Sequence, residues 1–547
     1  MEKAFRKHWL LMLIVLVAGF FRLHDIAANP PAISWDEASI GYNAFTIATT
    51  GRDEHGKFLP LDTFAAFGDY KPPVAVYLTV PFVALLGLTE LAVRLPSALF
   101  GTATVFLLYF LVRELFWTPN MKNDDKKRAE LTALISSAAL SITPWHIMLS
   151  RAGFEANIAF LFLVSGVLFV LKARQNPAFL YVCWLPFVLG IYTFNSTRYA
   201  GPMIALASLA WVKQTVVREK RKFVSGIIIA AIVMLPIIPH LISPESRLRF
   251  HEVSIFTDLR TVLTSNERRA VDHFNPLSAV FHNRRVGYAR EYLIHFFDNL
   301  EPRYLFMKGD GNPKFSIQDV GQLLLVTAPV VAAGALFLLA FSPALFVFLM
   351  WWLFASIAPT AVARETPHAL RTINALPVFM VCTAYGIIRI LESVRGKRAR
   401  ILLSIVFGVL VIGNFSYFWH NLTSHYAKEF SGEWQYGYKA AIEYVQTVKD
   451  DYDTIVLTES IGRPYIYALF YERTPLDDFT RTKDASFDAA GFYNVYGFGK
   501  YRFTKEGVGD YKGKTLYILP PKDVPATANI KHTIKLLNGT ASLVIFE

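Results

Sequence analysis

Five short stretches hold the residues of this chain whose types and spacing suit chemistry. Ser34-Trp35-Asp36-Glu37 sets two carboxylates side by side, and Gly68-Asp69-Tyr70-Lys71-Pro72-Pro73 places one lysine ahead of two prolines. A third stretch, from Trp145-His146 through Ser150-Arg151, reaches Glu155. A fourth carries Tyr192 and Arg198, and the fifth runs Arg364-Glu365-Thr366-Pro367-His368-Ala369-Leu370-Arg371. A carboxylate beside a hydroxyl can take its proton. Lysine or arginine can bind a phosphate leaving group and neutralise the charge that grows on it, arginine as a fork and lysine as a point charge. Asp36, Glu37 and Glu155 are thus the candidate catalytic carboxylates, and Lys71, Arg151, Arg198 and Arg371 the candidate phosphate ligands. Together they would serve transfer of a sugar from a lipid phosphate to a hydroxyl.

Each piece also has a plainer reading. Asp36-Glu37, like Asp53-Glu54 in the same loop, reads alone as a solvated turn. Lys71 reads as a snorkelling anchor, Glu155 as a favourable charge at a helix start, and the arginines as contacts to membrane phosphates. His146 and His368 read as hydrogen-bonded interface residues. No Cys/His group has zinc spacing, so the expected chemistry needs no metal; a divalent ion held by Asp36 and Glu155 is the alternative. Gly309-Asp310-Gly311-Asn312 lacks the strand-to-helix setting of a phosphate loop and reads as a turn.

The elements that must position these residues are membrane helices. Apolar residues make up 53% of the 547, and charged ones only 18%, where a soluble chain carries about a quarter. The apolar residues fall in runs near the roughly 20 that cross a bilayer, and in lipid such runs must be helical. The net charge of +12 is carried mostly between those runs, which suits lipid head groups rather than nucleic acid. Cys183 and Cys382 both lie inside apolar runs, so no disulfide framework is expected.

About eleven spans are predicted: 9–21, 94–112, 131–148, 154–172, 178–195, 198–213, 223–241, 319–341, 344–362, 372–391 and 400–419. The first reads as an uncleaved helix rather than a signal peptide cut near Ala27-Ala28, because so many spans follow it. Residues 74–88 are too short to span and contain Pro81; they read as an interfacial helix. With these left uncounted, every short basic loop falls on the same side as Lys3, Arg6 and Lys7, the cytoplasmic side. The five chemical stretches then gather on the extracytoplasmic face.

The expected organisation is a transmembrane module over 1–419 and an extracytoplasmic α/β domain over 420–547. The module includes a first outer loop at 25–90 and a large one at 242–318. The tail shows an amphipathic helix near 437–448 and β-like runs at 454–458, 515–519, 533–537 and 542–546. The fold class is therefore a polytopic α-helical membrane protein with a small soluble α/β region.

Taken in order, the motifs resemble the bacterial branch of the protein O-mannosyltransferases, which includes the lipid A aminoarabinose transferases, membrane glycosyltransferases of the GT-C fold. The resemblance rests on Asp36-Glu37 after the first helix and Lys71-Pro72-Pro73 before a juxtamembrane helix. It also rests on the run from Glu90 to Gly101 and on Ser141-Ile142-Thr143-Pro144-Trp145-His146 ahead of Ser150-Arg151. It covers residues 5–200 well and the later helices more loosely. It implies a polyprenyl-monophosphate sugar donor and inversion at the anomeric carbon. By position it makes Asp36 the base, Glu37 its support and Lys71 the holder of the donor phosphate. Glu155 stands where relatives often have Asp, and Arg371 follows from topology alone.

The main rival reading is a transporter or flippase of lipid-linked sugars, which would want charges midway along several spans; here they cluster at the ends. A scaffold presenting the tail would need no such gathering of acids and bases. The sugar, the acceptor (protein, glycan or lipid) and the oligomeric state are not written in the chain.

Overall fold

The structure, a computed structural model, describes residues 2–119, 121–488 and 491–547; the side chains of 2–7, with Lys3, Arg6 and Lys7 among them, and of Arg249 lie outside the described set. Among the described residues, seven helices are long and apolar enough to cross a membrane: Glu90–Leu115, Glu155–Lys172, Thr197–Arg218, Lys220–Ile242, Pro343–Val362, Ala369–Ser393 and Lys397–Ser424. Helices Asn123–Ser141 and Pro144–Arg151, bent by 54° where Pro144 begins the second, make an eighth if taken as one span. The other three predicted spans are shorter apolar helices, His8–Leu23, Pro177–Ile191 and Leu325–Phe341. So is Val74–Leu86, the segment expected at the interface.

By compactness the chain forms two units. The first comprises Met1–Gly19, Gly101–Met148 and Ala156–Ser416; the second comprises Phe20–Phe100, Leu149–Glu155 and Tyr417–Glu547. In the first unit, helices Ala328–Phe341 and Leu376–Ser393 pack backbone to backbone. A Cβ on Gly334 would collide with the carbonyl of Cys382, and one on Gly386 with that of Val330. Small residues permit such close approach where lipid supplies no hydrophobic drive. The segment 242–318 is largely helical, with Glu245–Val253, Leu259–Val271, Pro276–Phe281, Arg284–Asp298 and a π-helical turn at Arg303–Lys308. It is stitched to the 364–369 loop. Arg364 N donates to Val253 O at 2.7 Å, His368 N to Asn299 Oδ1 at 3.0 Å and Ala369 N to Asp310 Oδ2 at 2.6 Å.

The second unit is built differently. Helix Trp35–Thr50 is followed by a hairpin of β1 (Phe64–Ala66) and β2 (Asp69–Lys71), then by helix Val74–Leu86. The C-terminal part holds a mixed seven-stranded sheet in the order β4-β5-β6-β3-β7-β9-β8. Its strands are β3 (Thr454–Thr458), β4 (Asp484–Phe487), β5 (Tyr493–Phe498), β6 (Tyr501–Thr504), β7 (Thr515–Leu519), β8 (Ile530–Lys535) and β9 (Ala541–Phe546). Central β3 runs parallel to both β6 and β7; the remaining pairs are antiparallel. The four predicted runs are β3, β7, β8 and β9, and the predicted helix is Tyr438–Val448; β4, β5 and β6 went unpredicted.

The tail that reads in sequence as its own domain shares a core with the first loop. Ile33, Ile40, Tyr42, Phe64, Phe67 and Val76 form one buried cluster with Tyr438, Ile442, Tyr465, Ile466, Leu469 and Phe470. Helix Pro464–Glu472 lies so close to helix Trp35–Thr50 that a Cβ on Gly41 would meet the Phe470 ring. Tyr42 donates to Thr474 O at 3.0 Å, and Tyr467 to Ile33 O at 3.1 Å.

Candidate functional site

The site lies within the second unit, where three local structures converge on the side chain of Lys71. The first is the start of helix Trp35–Thr50. Ser34 caps it by accepting from Glu37 N at 3.3 Å, while Glu37 Oε2 accepts from Ser34 N at 2.9 Å. This reciprocal capping box is what the sequence Ser-Trp-Asp-Glu encodes, a Ser followed three residues on by Glu. It leaves Asp36, between them, in the first helical turn and 40% exposed, where the helix dipole favours a negative charge.

The second is the β1–β2 hairpin. Its two-residue turn, Phe67-Gly68, has φ of 60° and 93°, the positive pair of a type I′ turn. Asp69 and Lys71, two apart on one strand, project to the same face. Pro72 and Pro73 then end the strand ahead of helix Val74–Leu86. The third is the first turn of helix Glu155–Lys172, with Glu155 at its opening residue.

Lys71 Nζ sits 2.9 Å from Asp36 Oδ1, 3.0 Å from Glu155 Oε1 and 4.0 Å from Asp69 Oδ2. Lys71 and Glu155 are almost fully buried, while Asp36 and Asp69 reach solvent. Burial pulls the Lys71 ammonium down, but the charges of Asp36, Glu155 and Asp69 outweigh it, so its pKa ends above that of an ordinary lysine. A permanently charged cation therefore holds three carboxylates, of which Asp36 is the most open. Such a site can offer a positive charge to an anion and a carboxylate to a proton.

Sequence reasoning did not single out Asp69; its two-residue spacing from Lys71 in a strand was the available signal. Among the described residues, no group of three or more His, Cys, Asp and Glu is arranged to hold a metal ion. Between Asp36 and Glu155, where the sequence also allows a divalent ion, stands the Lys71 ammonium.

The other predicted residues are placed elsewhere. Glu37 is fully buried beside Asp36 but faces the opposite way. Its Oε1 accepts from Arg94 Nε and Gly153 N, both at 2.9 Å. Arg94, also fully buried, donates its remaining N–H groups to the carbonyls of Ile26, Pro30 and Ala32 at 2.9, 2.8 and 2.5 Å. Glu37 thus ties the loop, the helix start and Gly153 together. Arg94 was missed as its partner; an arginine opening a predicted span was the clue.

Arg151 is likewise buried. It donates to the carbonyls of Phe21, His24 and Asn29 at 3.0, 2.8 and 2.8 Å, and lies against the Trp419 ring. Its hydrogen bonds go to the turn after the first helix, not to the Lys71 cluster. Arg198 and Arg371 belong to the first unit. There Asp310, which the sequence reads as part of a plain turn, is buried. It accepts from Asn312 N as expected of such a turn and from Ala369 N, two residues before Arg371.

The fold is that of the GT-C membrane glycosyltransferases. It matches the structure of ArnT from Cupriavidus metallidurans bound to undecaprenyl phosphate, with a TM-score of 0.51, 11% identity and 98% of both chains covered. The apo state of the same protein gives 0.51 and 12% identity, over 99% of this chain and 98% of that one.

Residues 70–242 match the family described as dolichyl-phosphate-mannose-protein mannosyltransferase. That stretch contains Lys71 and Glu155 and begins after Asp36. A relative with a mannosyltransferase name, YkcB of Bacillus subtilis (strain 168), is 24% identical over 231 residues, 41% of this chain. The match spans 29% of that relative's length. These findings agree with the family resemblance read from the ordered motifs, and with a multi-pass membrane protein.

Proposed function

We propose that the protein is a glycosyltransferase that moves a sugar from a polyprenyl-phosphate donor to a hydroxyl acceptor, with inversion, on the extracytoplasmic face of the membrane. The N-terminus is then cytoplasmic and the C-terminal α/β region extracytoplasmic. The observation that carries this reading is the ammonium of Lys71 held between Asp36 and Glu155. The mannosyltransferase names of its relatives and the undecaprenyl phosphate bound to ArnT support a lipid-phosphate donor.

In this reading Asp36 removes the proton from the acceptor hydroxyl as its oxygen attacks the anomeric carbon. The C–O bond to phosphate breaks, and the polyprenyl phosphate leaves with the bonding pair, its charge met by Lys71 in low dielectric. Inversion needs base and leaving group on opposite sides of the anomeric carbon. Asp36, 2.9 Å from Lys71 in the resting site, must therefore give up its contact when the donor phosphate arrives. The burial pattern supports that exchange: Glu155 and Lys71 are enclosed, and Asp36 is the exposed partner. The donor phosphate replaces Asp36 on the ammonium, and Asp36, freed of its counter-ion, becomes a better base. Lys71 supplies the positive charge in this scheme, without a metal.

The test is sugar release from a panel of radiolabelled polyprenyl-phosphate sugars by purified protein, wild type beside Asp36→Asn and Lys71→Ala. Consumption of one donor, abolished by both substitutions, supports the reading. If no donor is consumed while labelled lipid crosses proteoliposome membranes, a lipid-linked-sugar transporter replaces it.

A further inference from the structure

The second unit holds a group of polar side chains, on a loop against Trp35 and Phe67, that the chemistry above leaves unused. It lies on the loop Glu459–Arg463, at the carboxyl end of β3. Thr458 of β3 pairs with Thr504 of parallel β6, so the two strands end side by side, with Glu459 and Lys505 next in the chain. The crevice beyond the carboxyl ends of parallel strands is the usual ligand position in α/β sheets. Here the loop also touches both elements that carry the site. A Cβ on Gly462, whose φ is 152°, would come within 3.2 Å of the Trp35 ring, so glycine suits this close approach of the loop to the residue preceding Asp36. The Arg463 guanidinium lies 4.7 Å from the Phe67 ring centre, in the turn of the hairpin that carries Lys71.

Among the described residues, neither charged side chain of the loop makes a hydrogen bond. Glu459 is 26% exposed and forms one long ion pair, with Lys505, 3.9 Å away and 82% exposed. Its pKa is raised, chiefly by burial, against the smaller pull of Lys505 and Arg463. Arg463 stacks on Phe67. A partly buried carboxylate and guanidinium whose hydrogen-bonding capacity is left to solvent, beside a reactive centre, suit a ligand position.

We propose that the loop Glu459–Arg463, with Trp35, is the acceptor subsite, and that the acceptor it takes is a carbohydrate. The inference rests on the transferase reading above. A carboxylate acceptor, a guanidinium donor and the Ser460 hydroxyl suit vicinal sugar hydroxyls, and an indole suits the C–H face of a pyranose ring. An extended peptide would want a free strand edge; both edges of β3 are taken, by β6 and β7. An acyl chain would want an apolar groove, which a loop of Glu, Ser and Arg does not offer.

The test is saturation-transfer NMR on the full-length protein in nanodiscs, with a panel of neutral oligosaccharides and a Ser/Thr-containing peptide. Wild type is compared with Glu459→Gln and Arg463→Ala, all checked for equal melting temperature. The proposal expects an oligosaccharide to bind wild type and to bind each variant about tenfold more weakly, the loss of one charge-assisted hydrogen bond. It is overturned if no oligosaccharide binds, if both variants bind as wild type does, or if only the peptide is bound. Donor consumption by wild type, measured in parallel, judges the transferase reading separately. Carbohydrate bound through Glu459 and Arg463 without donor turnover would keep the subsite and discard the transferase.

Discussion

Lys71 Nζ and Asp36 Oδ1 lie 2.9 Å apart, although one ends a strand and the other opens a helix, and the same ammonium donates to Glu155 Oε1 at 3.0 Å. Glu155 is only 9% exposed, so Lys71 is what keeps its charge tolerable there. Removing one partner of a buried pair costs about 3–5 kcal/mol, whereas removing both is close to neutral. Lys71→Ala should therefore lower the melting temperature markedly, and Lys71→Ala with Glu155→Gln should restore most of it. Neither variant should turn over donor. If the double variant melts as low as the single one, Lys71 is holding more than Glu155.

Asp36 behaves differently because it is partly in solvent. Asp36→Asn should leave thermal stability near wild type yet reduce donor turnover by about 10²–10⁴-fold, the contribution of a general base. Turnover within a factor of a few of wild type would remove Asp36 from the mechanism.

Glu37, its neighbour, should show the reverse bias. The Glu37–Arg94 pair is wholly enclosed, and Arg94 also ties three carbonyls. Arg94→Lys keeps the charge and loses the fork. It should destabilise the protein by about 3 kcal/mol or more, read as a drop in melting temperature that lipid donor does not rescue.

Asp310 gives a pH dependence in the first unit. Burial pushes its pKa up to about 6 from an ordinary 3.8, against the pull of the Ala369 and Asn312 N–H groups and Arg371. Between those values the folded chain keeps a proton that the unfolded chain has released. Its contribution to stability is complete below about pH 4 and is lost as the pH rises through 6. Asp310→Asn should flatten the fall in melting temperature between pH 4 and 6 by about one proton's worth of slope. An unchanged slope would place the titration elsewhere.

Turnover should survive exhaustive treatment with a chelator, because Lys71 stands at the point between Asp36 and Glu155 that a divalent ion would take. Loss of activity on chelation, restored by added metal, would reverse that assignment.

Some of this architecture follows from local sequence. The apolar runs had to be helices because lipid offers their backbones no other partner. Runs such as 154–172 and 400–419 emerge at Glu155–Lys172 and Lys397–Ser424. Strands β3 and β7 are short β-branched and aliphatic runs, legible for the same local reason. Asp36 could be singled out because it follows the first apolar run, and Lys71 because it stands just ahead of Pro72-Pro73 and the apolar run 74–88.

The tertiary structure decided what each charge does. Asp36 and Glu37 are adjacent and chemically alike, yet one faces Lys71 and the other Arg94. The helix start turns consecutive side chains about 100° apart, and nothing in the pair says which way the partner lies. Strand β5, Tyr-Asn-Val-Tyr-Gly-Phe, alternates only in its first part, and β4 and β6 are just four residues each. They are held by neighbours in the sheet rather than by their own pattern. The shared core of the tail and the first loop joins residues some 400 positions apart, as in the Tyr467 hydroxyl on Ile33 O. Contacts at that separation leave no periodic trace in the sequence and exist only once the chain has folded.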